Sequence, residues 1–470
     1  MELRHGDIVI EEDNPFLNCQ LNRKQYAGVL SSIVQNYADG FVLALNSKWG
    51  TGKTTFVRMW EQELKNNGYK TMYFNAWEND FEMEPMIAFL GEMKSIMGKD
   101  DSTFKSLVSK GVTVAKNVLP ALVKAAAAKY LDIPVLVDAI ENTTKAATEL
   151  LENEVSEYAN KKKGLIDFKK ELEKYVKENG NEKPVVFIID ELDRCRPDYA
   201  VEVLEKIKHF FSVSGIVFVL SVDKIQLGHS IQGYYGSDKI DTTEYLRRFI
   251  DVEYQLPEPD GLAFCKYLYE YYDFHKFFGS PARTGEFNGD GHDFITFAAT
   301  LFSKHKYTLR QQEKLFSHAR IVLTSFNEKK HVFPELLFLM IHIRDLETVL
   351  YSEIKNKQLS VQQLVSIIET KFALHLQNSK SDEFNRFVWT EALLIKFYSN
   401  LINTERYDNK IKLLKKEGEN EELTFTTKIQ GIGNQNKLID LLSYINNRYQ
   451  PNTFKLDYLL KKIDLLENIS

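Results

Sequence analysis

The sequence predicts an α/β fold, a parallel sheet flanked by helices, with an all-helical region after it. Three observations carry this expectation. Uniformly apolar runs recur in the first half of the chain, "FVLAL" at 41–45, "PVVFIID" at 184–190 and "GIVFVLSVD" at 215–223. Such runs suit strands buried on both faces. Helical periodicity fills the stretches between them. A glycine-rich loop, "NSKWGTGKTT" at 46–55, joins the first run to the first helix.

The elements follow in order. After Thr55, "FVRMWEQELKNN" sets Phe56, Trp60 and Leu64 at helical spacing, and Gly68 ends that helix as a C-cap would. "KTMYFNAW" at 70–77 is a second strand, so 41–77 reads as strand, loop, helix, strand. Residues 84–182 are rich in Ala, Lys and Glu and read as a helical insertion. Its tract "NKKKGLIDFKKELEKYVKENGNEK" has helical periodicity with a charged, solvated face. "YAVEVLEKIKHFF" is a helix, and "TEYLRRFIDVEYQL" at 243–256 begins as a helix and ends as a strand. "PEPDGLAF" marks a boundary, beyond which strand signals fade. Residues 280–292, "SPARTGEFNGDGH", read as a mobile loop. The segments 293–328, 331–378, 385–404 and 437–468 are helical. The expected organisation is a core over 1–258, a helical lid over 259–345 and a helical C-terminal domain over 346–470.

The chain of 470 residues has room for about three domains. A hydrophobic content of 44%, with 12% aromatic residues, supports real cores. Net charge is −6, which argues against a molecule-wide attraction to nucleic acid and leaves a local basic patch open. Cys19, Cys195 and Cys265 form no C-x-x-C pair, which argues against a zinc site and fits a reducing compartment. The N-terminus "MELRHGDIVIEEDN" carries acids where a signal peptide needs bases. The apolar stretch 111–140 is broken by Lys116, Lys124, Lys129, Pro120 and Pro134, too often to span a bilayer. The expectation is a soluble, cytoplasmic protein with no membrane contact.

The chemistry concentrates in two motifs. The loop nearly fits G-x-x-x-x-G-K-[ST]: Gly52, Lys53 and Thr54 match, and Ser47 stands where the first glycine belongs. Such a loop turns backbone N–H groups inward, and the following helix adds its dipole, so that a nucleotide's phosphates are held. The expected phosphate-binding set is Ser47, Lys48, Trp49, Gly50, Thr51, Gly52, Lys53, Thr54 and Thr55. Lys53 reaches the β- and γ-phosphates, and Thr54 binds Mg²⁺ through its hydroxyl. Gly50 and Gly52 let the backbone take unusual torsions close to the phosphates. In "VVFIIDELDR" a buried strand ends in two carboxylates, an odd choice without a cation nearby. Asp190 holds the Mg²⁺ shell, and Glu191 orients and deprotonates the attacking water. Asp193 and Arg194 are expected in local ion pairs.

"KWGTGKTTF", "FNAW", "IIDELDRCRPDYAVEVLEKIKHFF", "FVLSVDK" and "EYLRRFIDVEYQLPEP" occur in this order. Together they resemble the KAP family of P-loop NTPases, in the additional-strand catalytic-glutamate division alongside AAA-type ATPases. The resemblance covers roughly 15–345. It implies ATP as nucleotide, Mg²⁺ as metal, and an extra strand between the phosphate-loop strand and the acidic strand. Many members carry transmembrane helices between the two motifs, whereas this chain resembles a soluble version. Ser47 departs from the usual first glycine, and Asp-Glu from the Asp-Asp pair of many relatives. Bacterial members are linked to anti-phage defence and animal members to membrane scaffolds in signalling.

Carried onto this chain, the resemblance makes Arg247 or Arg248 a finger reaching a neighbouring subunit's γ-phosphate, with a pair of surface arginines as the alternative. Arg310 resembles a second sensor on a helical lid, or is a solvated helix arginine. Ser221 follows the fourth strand, where a polar residue senses the γ-phosphate, and Asp223 either joins it or caps a helix. Trp77 and Trp49 read as packing residues, Trp49 with the option of shielding the loop. Cys195 reads as structural, and His342 as a partly buried helix residue. "KLLKKEG", the best basic cluster near the C-terminus, reads as a solvated face. The function expected is ATP hydrolysis coupled to conformational change in a homo-oligomer, with any effector on another polypeptide. The alternatives are a slow nucleotide-dependent switch that recruits an effector, and a nucleic-acid motor.

Overall fold

The computed structural model describes residues 8–37, 40–81, 85, 166–174, 176–177, 183–207, 213–305, 307–373, 382–403, 410–417, 420–428, 437–449 and 454–465. The chain divides into two compact units, Asp7–Glu258 and Pro259–Ser470. Most of the expected insertion at 84–182 lies outside the described residues, and within it 166–174 and 176–177 are helical.

In the first unit, α1 (Lys24–Asn36) leads into β1 (Phe41–Asn46), the phosphate-loop segment and α2 (Lys53–Asn66). β2 (Thr71–Asn75) and β3 (Val185–Asp190) follow, then a 3₁₀ turn at Leu192–Arg194 and α3 (Pro197–Ile207). β4 (Ile216–Val222), α4 (Lys224–Tyr235), α5 (Thr242–Leu246) and β5 (Val252–Gln255) complete it. The five strands form one sheet in the order β2-β3-β4-β1-β5, all pairs parallel. β4 therefore lies between the loop strand and the acidic strand, where the extra strand was expected. The segment 243–256 does switch from helix to strand.

The uniform apolarity of the strands has a simple cause: both faces are covered. Val42, Phe187, Phe218 and Leu220 pack on one face with Val203, Leu204 and Leu227. Leu43, Leu45, Ile188, Val217 and Val219 pack on the other with Leu30, Phe56 and Trp60. Neighbours along each strand thus feed opposite cores, as strand geometry requires. Trp60 is wholly buried, and its Nε1 donates to Ser31 Oγ at 2.9 Å, which ties α2 to α1. Gly68, at φ +77°, takes the left-handed turn just after α2.

The register fixes the site. Leu45 pairs with Ser221, Ser221 with Asp190, and Asp190 with Asn75. One row at the carboxyl edge of the sheet therefore carries the acidic residue, the polar residue of β4 and the end of the loop strand.

The second unit is mainly helical: α6 (Gly261–Tyr271), α7 (His275–Phe278), α8 (Asp290–His305), α9 (Leu309–Thr324) and α10 (Pro334–Leu346) come first. α11 (Thr348–Lys355), α12 (Val361–Ile368), α13 (Asp382–Asn403), α14 (Lys437–Arg448) and α15 (Leu456–Ile463) complete it. Every residue of α10 from Pro334 to Ile343 is buried, so it is the central helix. Phe294 of α8, Phe316 of α9 and Phe338 of α10 meet with ring centroids 5.1–5.6 Å apart.

Three expectations are corrected here. The region is not wholly helical: β6 (Leu414–Glu417), within the basic cluster, pairs antiparallel with β7 (Asn420–Leu423) just beyond it. Its strands are charge-rich, and Lys415 pairs across with Glu422 at 3.1 Å, so no apolar alternation announced it. The stretch 280–292 is anchored: the buried Arg283 pairs with Asp290 and donates to the carbonyls of Glu328 and Lys330 at 2.8 and 3.1 Å. His342 is fully buried, its Nε2 3.2 Å from Tyr307 OH, and burial pulls its pKa down to about 4. Among the described residues, no helix is long and apolar enough to cross a membrane.

Candidate functional site

The loop between β1 and α2 has the backbone its glycines permit. Gly50 and Gly52 lie at φ +73° and +76°, in the left-handed region that other residues avoid. Ser47 has no such torsion. Instead its Oγ lies 2.8 Å from Thr51 Oγ1, and Thr51 Oγ1 donates to Lys48 O at 2.9 Å, closing the loop on itself. A side-chain clasp thus stands where the pattern has its first glycine.

Lys53 is buried; its Nζ donates to Ser47 O at 3.0 Å and stands 3.9 Å from Asp193 Oδ2. Burial lowers its pKa, and the carboxylates of Asp193, Asp190 and Asp223 oppose that shift. Thr54 Oγ1 donates to Glu191 Oε1 at 3.3 Å, so the loop's hydroxyl and the acidic pair meet directly. Asp190 is fully buried, and both its oxygens are engaged: Oδ1 accepts from Glu191 N at 3.0 Å and Oδ2 from Tyr73 OH at 2.9 Å. Arg58 covers the Tyr73 ring 4.0 Å from its centroid.

Glu191 sits at φ +60°, an uncommon torsion for a non-glycine residue and a costly one. The turn at 192–194 returns Arg194 NH1 to within 2.8 Å of Glu191 Oε1. Burial raises the pKa of Glu191, with repulsion from Asp190 and Asp193 in the same direction, while Arg194 and the Thr54 hydroxyl pull it back.

Asp193 is the residue that sequence reasoning placed wrongly. It was expected in a local ion pair; instead it reaches the phosphate loop. Its Oδ2 accepts from Trp49 Nε1 at 2.5 Å and from Asp223 N at 2.9 Å, besides facing Lys53. Trp49 N in turn donates to Asp223 Oδ2 at 3.3 Å. Asp223 also caps α4, accepting from Ile225 N and Gln226 N. Trp49 and Trp77, expected as packing residues, are about half exposed, at 42% and 51%. Trp77 instead faces the Arg194 guanidinium 5.8 Å from its ring centroid. Cys195 is buried, and burial pushes its thiol well up, which fits a structural residue.

The register brings Ser221 beside Asp190, and its Oγ is buried without a hydrogen-bond partner. Asp193 Oδ1 is orphaned in the same way. Buried polar atoms are rarely left so unless a ligand or water completes them. A buried ammonium beside an unpartnered buried hydroxyl fits a polyphosphate, and Thr54 and Asp190 supply the hard oxygens that suit Mg²⁺. Arg247 pairs with Glu244, and both Arg247 and Arg248 are exposed. Arg310 is exposed in the first turn of α9, in the second unit. Within the first unit, the described loop contacts include neither Arg247 nor Arg248. Lys48 is exposed, and Thr55 is half-buried in α2.

Two contributors had no readable signal. Tyr73 lies in a strand whose apolar pattern a tyrosine does not disturb. Arg23 precedes α1 as an isolated cation, yet its NH1 donates to Gly52 O at 3.0 Å and its NH2 to Thr51 O at 2.8 Å.

The model of the KAP family P-loop domain matches residues 23–275, a narrower span than the motifs suggested. An uncharacterized protein of Methanocaldococcus jannaschii is 29% identical over 176 residues, covering 33% of this chain and 90% of that protein. The Aeropyrum pernix ORC2 protein, solved as ADPNP–ADP complexes, aligns over 95% of this chain and 93% of its own at 13% identity, with a TM-score of 0.34. Drosophila ORC bound to poly(dA/dT) DNA and Cdc6 aligns over 81% of this chain and 62% of its own at 12% identity, with a TM-score of 0.26.

Proposed function

The chain belongs to the KAP family of P-loop NTPases, and from that premise we propose that it binds ATP with Mg²⁺ and hydrolyses it to drive conformational change in an oligomer. One observation carries the reading: Lys53, Thr54, Asp190 and Glu191 converge on one sheet edge, beside a buried Ser221 hydroxyl that has no partner. Bound Mg²⁺ would neutralise charge on the β- and γ-phosphates.

The chain's own residues supply the rest. Lys53 exchanges Ser47 O and Asp193 for phosphate oxygens. Thr54 and Asp190 would hold the metal, with Asp190 oriented by Tyr73 and by the Glu191 amide. Glu191 takes the proton of the attacking water, its pKa raised by burial toward the range useful for a base. Ser221 donates to the γ-phosphate. Arg247 or Arg248, both exposed, acts on a neighbouring subunit's nucleotide, and Arg310 acts from the helical region as a sensor. We assign the 259–345 segment as a lid and 346–470 as the part that passes the change to an effector protein. Family membership favours a bacterial defence or signalling setting.

A second reading, a slow switch, draws on a specific contact. Glu191 Oε1 is held by both Arg194 and Thr54, and a carboxylate so held is a weak base until released.

Steady-state ATP hydrolysis measured against protein concentration, for wild type and Glu191→Gln, tests the proposal. Specific activity that rises with concentration, and is lost in the variant, is the expected result. Wild-type turnover no faster than that of Glu191→Gln at every concentration would refute hydrolysis and leave the switch.

A further inference from the structure

Arg23 is 2% exposed, and among the described residues its hydrogen-bond partners are two backbone carbonyls, Thr51 O and Gly52 O. The groups that act on its charge are Cys19 and Tyr26, neither a carboxylate, and burial brings its pKa down to about 10. Its Nε is buried with no partner. A guanidinium buried without an anion is unfavourable, and removing the charge altogether would normally be less so. Its position gives the charge a use. The Thr51 carbonyl belongs to the same peptide unit as the Gly52 N–H, and the Gly52 carbonyl to the same unit as the Lys53 N–H. A charged donor on the oxygen of a peptide polarises its N–H, which then donates more strongly on the other side. The two bonds also fix the plane of each peptide around Gly52, whose φ of +76° would otherwise be free to relax.

We propose that Arg23 is a positioning residue for polyphosphate: from behind the phosphate loop it orients and polarises the Gly52 and Lys53 amides, and its charge is balanced only when a nucleotide's phosphates occupy the loop. This rests on the nucleotide-binding part of the reading above and not on hydrolysis. It makes Arg23 a determinant of affinity and leaves turnover at saturation to Glu191.

Calorimetric binding of ADP without Mg²⁺, on the full chain, tests it with wild type, Arg23→Met and Arg23→Lys. The methionine keeps the stem and removes the charge; the lysine keeps the charge and a single donor centre. Arg23→Met should weaken ADP binding about 10- to 100-fold, from the loss of two charge-assisted hydrogen bonds. Arg23→Lys should fall between the two. Unchanged affinity in Arg23→Met overturns the proposal. Equal losses in both variants overturn the charge role and leave a mechanical brace. Should Arg23→Met fail to fold, Arg23→Lys decides alone: a loss of about 3- to 10-fold sustains the proposal, and unchanged affinity overturns it. Wild type that binds no ADP refutes nucleotide binding itself, a result read without either variant.

Discussion

Replacing Asp193 by asparagine keeps the side chain's shape and removes one buried charge. The charge faces Lys53 at 3.9 Å, with both side chains almost fully buried. At an effective dielectric of about 20, that separation corresponds to a gross attraction of about 4 kcal/mol. Asparagine costs less to bury than aspartate, which offsets roughly half and leaves about 2 kcal/mol. The bond from Trp49 Nε1, charge-assisted at 2.5 Å, becomes a neutral one and loses about 1 kcal/mol. The sum is about 3 kcal/mol, or roughly 6–12 °C in the melting of the unit that holds the sheet. The more specific expectation concerns ligand. Saturating ADP gives Lys53 a new anionic partner, so the Lys53 share of the penalty disappears and the gap between Asp193→Asn and wild type shrinks to about 1 kcal/mol. Differential scanning calorimetry with and without ADP reads both numbers. A gap below about 1 °C without ligand, or one that ADP leaves unchanged, would show that Asp193 does not hold Lys53 in the empty loop.

Three further predictions follow from the same contacts. Tyr73→Phe removes the donor to Asp190 Oδ2 and should raise the Mg²⁺ concentration for half-maximal hydrolysis about tenfold with kcat nearly kept, as a Mg²⁺ titration of the rate will read. Gly52→Ala forces a Cβ onto a residue at φ +76°; it should cost about 1–2 kcal/mol in thermal unfolding and weaken ADP binding more than tenfold by calorimetry. Glu335, buried in α10, has its pKa raised from 4.5 to about 7, first by burial and then by the Asp293 charge. A carboxyl raised on folding contributes stability that is present in full below pH ~4.5 and is lost as pH rises through about 7, here about 3 kcal/mol. Glu335→Gln should therefore gain about that much relative to wild type between pH 4 and pH 8, in denaturant unfolding of the two side by side. His342 titrates in the opposite sense and cancels in that difference.

The amino-acid sequence by itself determined what repeats or is local. Strands buried on both faces need apolar residues at every position, so β1, β3 and β4 stand out as runs. A phosphate loop needs glycine and lysine within a few residues, so Gly50, Gly52, Lys53 and Thr54 could be read directly, as could Asp190 and Glu191 at the end of a strand. That a strand lies between the loop strand and the acidic strand was implied by family resemblance and not by periodicity, because parallel neighbours in a sheet are distant in the chain. The strand pair β6–β7 escaped because its cross-strand charges mimic a solvated run.

Only the tertiary structure decided which polar residues face the loop. Asp193 looked like its neighbours in "ELDRC", and a left-handed turn at Glu191 aims it at Trp49 and Lys53 while sending Arg194 back to Glu191. Tyr73 and Arg23 lie 117 and 28 residues from the groups they hold, Asp190 and Thr51. A hydrogen bond is indifferent to sequence separation and demands only distance and direction, and those are set by the sheet register and by the helix packed behind the loop.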